Sequence, residues 1–251
     1  MNLKRRLVAL FPRHLQLPAR YAFLRLRGQL DDEIALLPTL IGKPGRAIDV
    51  GANVGFYTLA LSKLCRPVEA FEPLPWHARL IEESKLAGVN VHNVALANAE
   101  GHHPLYIPQI RGQYLDGLAS FSKPDGPCKV LDVPVKRLDD FQFGDVCFIK
   151  VDVEGLEMDV LRGASGTIAR CRPVMLVEIE QRHLSGTDIG TVFKEIQDFG
   201  YEGQFLFEKN LRPLSEFSFE KYQQPFLEDD AKGIFAHKNR GKVNNFIFRP
   251  V

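Results

Sequence analysis

The stretch Ala47-Ile48-Asp49-Val50-Gly51-Ala52-Asn53-Val54-Gly55-Phe56-Tyr57-Thr58 decides the fold. A short apolar run with buried-strand character meets two glycines, and helical character resumes at Phe56. Strand, glycine turn, helix is the opening of a parallel α/β unit. Gly51 and Gly55 permit a tight turn and a close approach of backbone to a ligand. The dinucleotide fingerprint G-x-G-x-x-G is absent, because Gly51 and Gly55 stand four apart with Asn53 between them. The turn therefore lacks a diphosphate cradle, which argues against a nicotinamide dehydrogenase and for a ligand without phosphates. A turn that serves the backbone alone is the competing reading. Asp49, at the strand end, is placed to hold an ammonium group directly or through water.

Downstream, strands and helices alternate. A second strand is expected over 68–72, a helix over 76–87 stopped by Gly88, and a third strand over 89–96. This βαβαβ rhythm predicts a parallel sheet with right-handed crossovers. Glu72 ends the second strand, where an acid in a nucleotide fold accepts both ribose hydroxyls. A solvated loop acid is the alternative. Asn93, at the third strand's end, offers an edge hydrogen bond beside an adenine, or is an ordinary strand end. Residues 97–130, rich in Gly, Pro, Asp and Ser, read as a long loop that interrupts the rhythm. Strands follow over 130–138, 148–152 and 174–179. Helices are expected at 157–162 and 189–199, and strands over 201–207 and 245–249 close the sheet.

The 251 residues suit one sizeable α/β domain, and a net charge of +1 demands neither a nucleic-acid nor an acidic partner. The four cysteines form no C-x-x-C pair, and a reduced, cytoplasmic setting is the simplest expectation. No apolar stretch is long enough to span a bilayer, and Pro12, Arg13 and His14 follow too soon for a signal-peptide core. The chain divides into a basic helical arm over 1–40 and a domain over 41–251. Lys4, Arg5, Arg6, Arg13, Arg20, Arg25 and Arg27 all precede the first acid, Asp31. Leu3, Leu7, Leu10 and Phe11 have helical spacing, and a helix is also expected over 31–40. The arm reads either as a peripheral membrane or nucleic-acid contact, or as a solvated segment packed on the domain's edge. The sequence carries no reading of oligomeric state.

The opening stretch joins Phe71-Glu72-Pro73, Asn93-Val94-Ala95-Leu96, Arg137-Leu138-Asp139-Asp140, Val177-Glu178-Ile179-Glu180 and the run from Phe148 to Glu157. Together these resemble FkbM-type methyltransferases, in order, over roughly 41–200; the Lys-x-Asp-x-Glu-Gly-x-Glu run is the most distinctive part. The resemblance implies a Rossmann-like class I methyltransferase fold: a doubly wound, mostly parallel, seven-stranded sheet with helices on both faces. It also implies S-adenosyl-L-methionine (SAM) as donor and transfer to oxygen, often a hydroxyl of a sugar, glycan or natural product. Asp49, Gly51, Asn53, Gly55, Glu72 and Asn93 are then the cofactor-binding candidates.

Asp152, at the end of the fourth buried strand, is a base, an acceptor-orienting group or a metal ligand; its alternative is a cap on the following helix. Glu178 is placed to bond substrate hydroxyls. His183, with an ordinary pKa of ~6.5, suits a base, or is a surface residue. Asp139-Asp140 has a structural reading. His102 and His103 point to opposite faces of a strand, so no histidine zinc site is expected. Tyr106, Tyr114 and Phe121 read as acceptor-pocket walls or as core packing. Two other functions remain open: a nucleic-acid methyltransferase using the basic arm, and a non-catalytic SAM-binding scaffold. Against the first, Asp152-Val153-Glu154-Gly155 stands where an Asn/Asp-Pro-Pro-aromatic motif would be.

Overall fold

The structure, a computed structural model, describes residues 11–184, 186–227 and 241–251. In chain order the strands are β1 (Arg46–Val50), β2 (Val68–Phe71), β3 (Val89–His92), β4 (Ala95–Leu96), β5 (Gly101–Ile110), β6 (Gln113–Tyr114), β7 (Cys128–Lys136), β8 (Val146–Val151), β9 (Val174–Glu178), β10 (Tyr201–Phe207), β11 (Asn210–Pro213) and β12 (Asn245–Pro250). The helices used below are α1 (Arg13–Leu26), α2 (Leu37–Leu40), α3 (Phe56–Leu61), α4 (Pro75–Glu83), α5 (Glu157–Arg162), α6 (Ser165–Cys171) and α7 (Ile189–Asp198).

The main sheet runs β3-β2-β1-β8-β9-β12-β10-β11. From β3 to β9 all pairings are parallel, and β12 inserts antiparallel between β9 and β10. Alternation along the strands sorts the core into two layers. Ile48, Val50, Ile149, Val151, Met175 and Val177 pack on one face with α5, α6 and α7. Ala47, Phe148 and Leu176 pack on the other with Leu17 and Tyr21 of α1, Leu37 and Leu40 of α2, and α3.

Among the described residues eight strands, not seven, form the sheet. The extra one is β11, which returns antiparallel from β10. Its turn is Glu208-Lys209, both at positive φ (48° and 65°). Hairpin turns of this kind are usually written with Asn or Gly, so Glu-Lys carries no turn signal.

The expected third strand over 89–96 is two strands. It breaks at Asn93-Val94, and β4 leaves the main sheet to pair with β7, Ala95 opposite Val135. The expected loop over 97–130 also contains β5 and β6, part of a second sheet in the order β4-β7-β5-β6. Leu105, Ile107, Val133 and Val135 alternate inward to make its small core. Pro104 and Pro108 sit inside β5, and prolines ordinarily argue against a strand. The expected helix over 31–40 is a 3₁₀ turn, Asp32–Ala35, followed by α2. The helix expected from Leu3, Leu7 and Leu10 lies outside the described residues. No described helix is long and apolar enough to cross a membrane.

Candidate functional site

Sheet order reverses between β1 and its neighbours β2 and β8, and ligands in such sheets bind beyond the strand ends there. A cleft opens at that point, with Gly51, Asn53, Glu72 and Asp152 in its lining.

The β1–α3 loop is fixed by backbone geometry. Gly51 has φ +75°, and a Cβ there would lie 1.8 Å from the Asp152 carbonyl oxygen. The glycine is thus required by the close approach of β8's end to β1's end. Gly55, at φ +87°, precedes α3, and a Cβ would press on Ile81 and Leu17. Asn53 is left-handed at φ 50°. In that posture its N–H donates to Glu72 Oε2 (2.6 Å), while Leu74 N–H donates to Oε1 (2.8 Å). Burial pushes the Glu72 carboxyl up to about 7, against the pull of those two backbone donors. Each oxygen keeps a second lone pair.

Asp49 and Asn93 stand behind the lining. Asp49 is buried under the loop and accepts from Thr58 Oγ1 at 2.5 Å. Burial lifts it to about 6, with the Thr58 bond opposing. Asn93 Nδ2 donates to the Glu72 and Pro73 carbonyls (2.8 and 3.0 Å), so it braces the segment that carries Glu72. Gly55 likewise lies outside the cleft lining.

On the other side, Asp152 N–H donates to Val50 O at 3.0 Å, locking β8's end to β1's. Its side chain, 35% exposed, lies 3.5 Å from Lys150 Nζ. Lys150 is fully buried and donates to Asn245 Oδ1 on β12 (3.1 Å) and to Val151 O (3.3 Å). Burial alone would lower the Lys150 ammonium; Asp152, Glu178, Asp31 and Asp49 outweigh it and hold it above its ordinary value.

Burial, then the Asp152 charge, push both Glu154 and Glu178 well up. Glu154 shares the cleft lining. Glu178 accepts from Asn244 Nδ2 and, with His183, lies outside that lining. His183 Nδ1 is 3.2 Å from Glu154 Oε2, and its backbone packs on Gly155. Among the described residues no group of three or more His, Cys, Asp or Glu is arranged to hold a metal ion.

The roof comes from within residues 97–130, and of the three aromatics offered there as pocket walls Phe121 lines the cleft. The segment around the 3₁₀ turn Asp116–Leu118 brings Asp116, Ala119 and Phe121 into the lining. Trp76 Nε1 donates to Asp116 Oδ2 (2.9 Å), and Ser120 Oγ donates to Glu154 O (2.9 Å). These bonds tie the roof to both walls. Tyr106 exchanges backbone hydrogen bonds with Ser120, and Tyr114 is exposed; neither lines the cleft. Asp139 serves structure: it accepts from Gly166 N, Thr167 N and Thr167 Oγ1 at the start of α6.

The family described as the methyltransferase FkbM domain matches residues 49–203, which include this loop, Glu72, Asp152 and Glu178. The chain belongs to the FkbM methyltransferase family. One relative of this FkbM protein, Methyltransferase 1 of Beauveria bassiana (strain ARSEF 2860), is 31% identical over 141 residues, 46% of this chain and 57% of that protein. The match thus spans little more than half of that relative's length. A solved FkbM methyltransferase from Methylobacillus flagellatus KT shares the fold, with a TM-score of 0.52 at 15% identity over 95% of this chain and 55% of that one.

Proposed function

We propose that this FkbM domain is a SAM-dependent O-methyltransferase whose acceptor is a hydroxyl of a sugar, glycan or natural product. One observation carries the reading: Glu72 and Asp152 face a single cleft from opposite sides of β1. The residues fit the donor. Glu72, anchored by two N–H groups, has lone pairs left for ribose hydroxyls. Leu74, Ala95, Leu96 and Phe121 offer apolar walls for a flat base. When bound, SAM supplies a methyl group already activated by its sulfonium.

The protein's own task is alignment and proton removal. Holding the reactants in line can supply ~7–11 kcal/mol of the barrier. Asp152 is the more open of the two catalytic-side carboxylates in the cleft, 35% exposed against 20% for Glu154. An acceptor hydroxyl reaches it most readily, so Asp152 takes the proton as the hydroxyl attacks, a contribution of typically ~10²–10⁴-fold. Lys150, fixed by Asn245, positions that carboxylate. Glu178 acts from behind it, and His183 acts through Glu154.

The test is incubation of purified protein with SAM and a panel of hydroxyl-bearing sugars, read by mass spectrometry. An O-methylated product with matching S-adenosylhomocysteine supports the reading. Bound SAM with no transfer to any acceptor supports the scaffold alternative instead.

A further inference from the structure

Helix α1 carries two apolar faces. Leu17 and Tyr21 turn inward and join the core. On the opposite side Leu15, Ala19, Ala22 and Leu26 recur at helical spacing and form one stripe. Leu15 is 41% exposed and Leu26 88%; Phe23, at the stripe's edge, is 42% exposed, and Phe11, just ahead of the helix, 48%. Beside the stripe runs a shallow groove floored by Ala22, Leu26, Leu59 and Leu86, with Arg25 and Lys63 at its rim.

The charges on α1 and at the rim of the groove are all basic. No acid occurs before Asp31, and α1 contains none. Arg13 pairs with Glu83 of α4, while Arg25, Arg27 and Lys63 are exposed. The Arg27 guanidinium lies over the Phe23 ring (5.1 Å) and the Lys63 ammonium over the Tyr21 ring (5.1 Å), so each cation sits against an aromatic face at the edge of this surface. In the sequence Lys4, Arg5 and Arg6 extend the basic run.

We propose that α1 docks the protein on an anionic lipid surface. An exposed apolar stripe edged by cations suits the headgroup boundary, where the apolar side chains insert and the guanidinium and ammonium groups reach phosphates. A second copy fits this face poorly, because a two-fold contact would set Arg25 and Lys63 against their own counterparts. A nucleic acid would use the charges and leave Leu26 and Phe23 unburied. The surface is built into the domain: α1 packs on α3 and α4, and Leu17 touches the turn at Gly55.

The experiment is sedimentation of the full chain with phosphatidylcholine vesicles, with and without phosphatidylserine. Wild type should partition onto the anionic vesicles and much less onto the neutral ones. Leu26→Glu should cut the partition by roughly tenfold or more, since it places a charge in the stripe. Arg25→Glu and Lys63→Glu should each cost about fivefold or more, the weight of one basic group at such a surface. All three positions are exposed, so melting temperature should hold, which separates lost docking from lost folding. The proposal is overturned by no binding to anionic vesicles, by equal binding to neutral ones, or by Leu26→Glu binding as wild type. A dimer that Leu26→Glu dissolves would overturn it in favour of a second copy.

Discussion

Gly51→Ala should destabilise this protein far more than a surface glycine substitution does. The left-handed φ of +75° costs an alanine about 1–2 kcal/mol. The added Cβ would sit 1.8 Å from the Asp152 carbonyl oxygen, so the ends of β1 and β8 must separate by more than an ångström. That movement breaks the bond from Asp152 N–H to Val50 O and strains that from Gly51 N–H to Phe71 O, each 3.0 Å. Each is worth about 0.5–1.5 kcal/mol. The total is about 2–5 kcal/mol, from a usual stability of about 5–15. At roughly 2–4 °C per kcal/mol for a chain of this size, the melting temperature should drop by about 4–20 °C. Thermal and urea unfolding measure it directly. Gly117→Ala is the control: its Cβ would meet only Asn53 Nδ2 at 3.5 Å, an ordinary contact, and the change should stay within about 0.5 kcal/mol. A Gly51→Ala protein that melts within about 2 °C of wild type would refute the close-approach reasoning.

Other expectations concern chemistry, capping and pH. Asp152→Asn should leave SAM binding intact and lower turnover by about 10²–10⁴-fold, read as S-adenosylhomocysteine release; wild-type turnover would remove Asp152 as proton acceptor. Asp139→Ala strips three acceptor contacts from the start of α6 and should cost about 2–4 kcal/mol by urea unfolding, with SAM affinity unchanged. Burial is the largest cause lifting Glu33, Glu72 and Glu157 to about 7 and Asp49 to about 6. Their folded values exceed their unfolded ones, so between those limits the folded chain holds protons that the unfolded chain has released, and acid favours folding. The penalty is absent below the unfolded values and complete above about pH 7. Glu69 and Glu180, whose values are lowered, act only at more acid pH. The urea midpoint without ligand should therefore fall from about pH 5 to about pH 8; a rise over that range would contradict the burial of these carboxyls.

What the sequence made legible was local. The first strand, its glycine turn and α3 are one continuous apolar run broken by two glycines, and no distant residue is needed to read it. Glu72 stood out because it ends a short buried strand and precedes proline. The misreadings arose where local signals contradict the tertiary context. Pro104 and Pro108 made a strand of the second sheet look like loop, and Glu208-Lys209 hid the turn into β11. The sequence offers Gly51 for a tight turn and close approach to a ligand; its nearest constraint in the structure is a carbonyl one hundred and one residues onward in the chain. Lys150 owes its position to Asn245 on β12, a pairing that no local pattern encodes. Asp49 reads as available in the sequence; in the structure one of its oxygens, Oδ2, accepts from Thr58 on the following helix.

In the proposed function Glu72, steadied by Asn53 and Leu74, grips the ribose of a SAM molecule in the β1–β2–β8 cleft. Calorimetric titration of SAM into wild type and Glu72→Ala tests this most directly. Wild type should bind saturably and Glu72→Ala should lose at least roughly tenfold in affinity, as expected when charge-assisted hydrogen bonds are removed. Equal affinity in the two proteins, or no heat from wild type at saturating SAM, would contradict it.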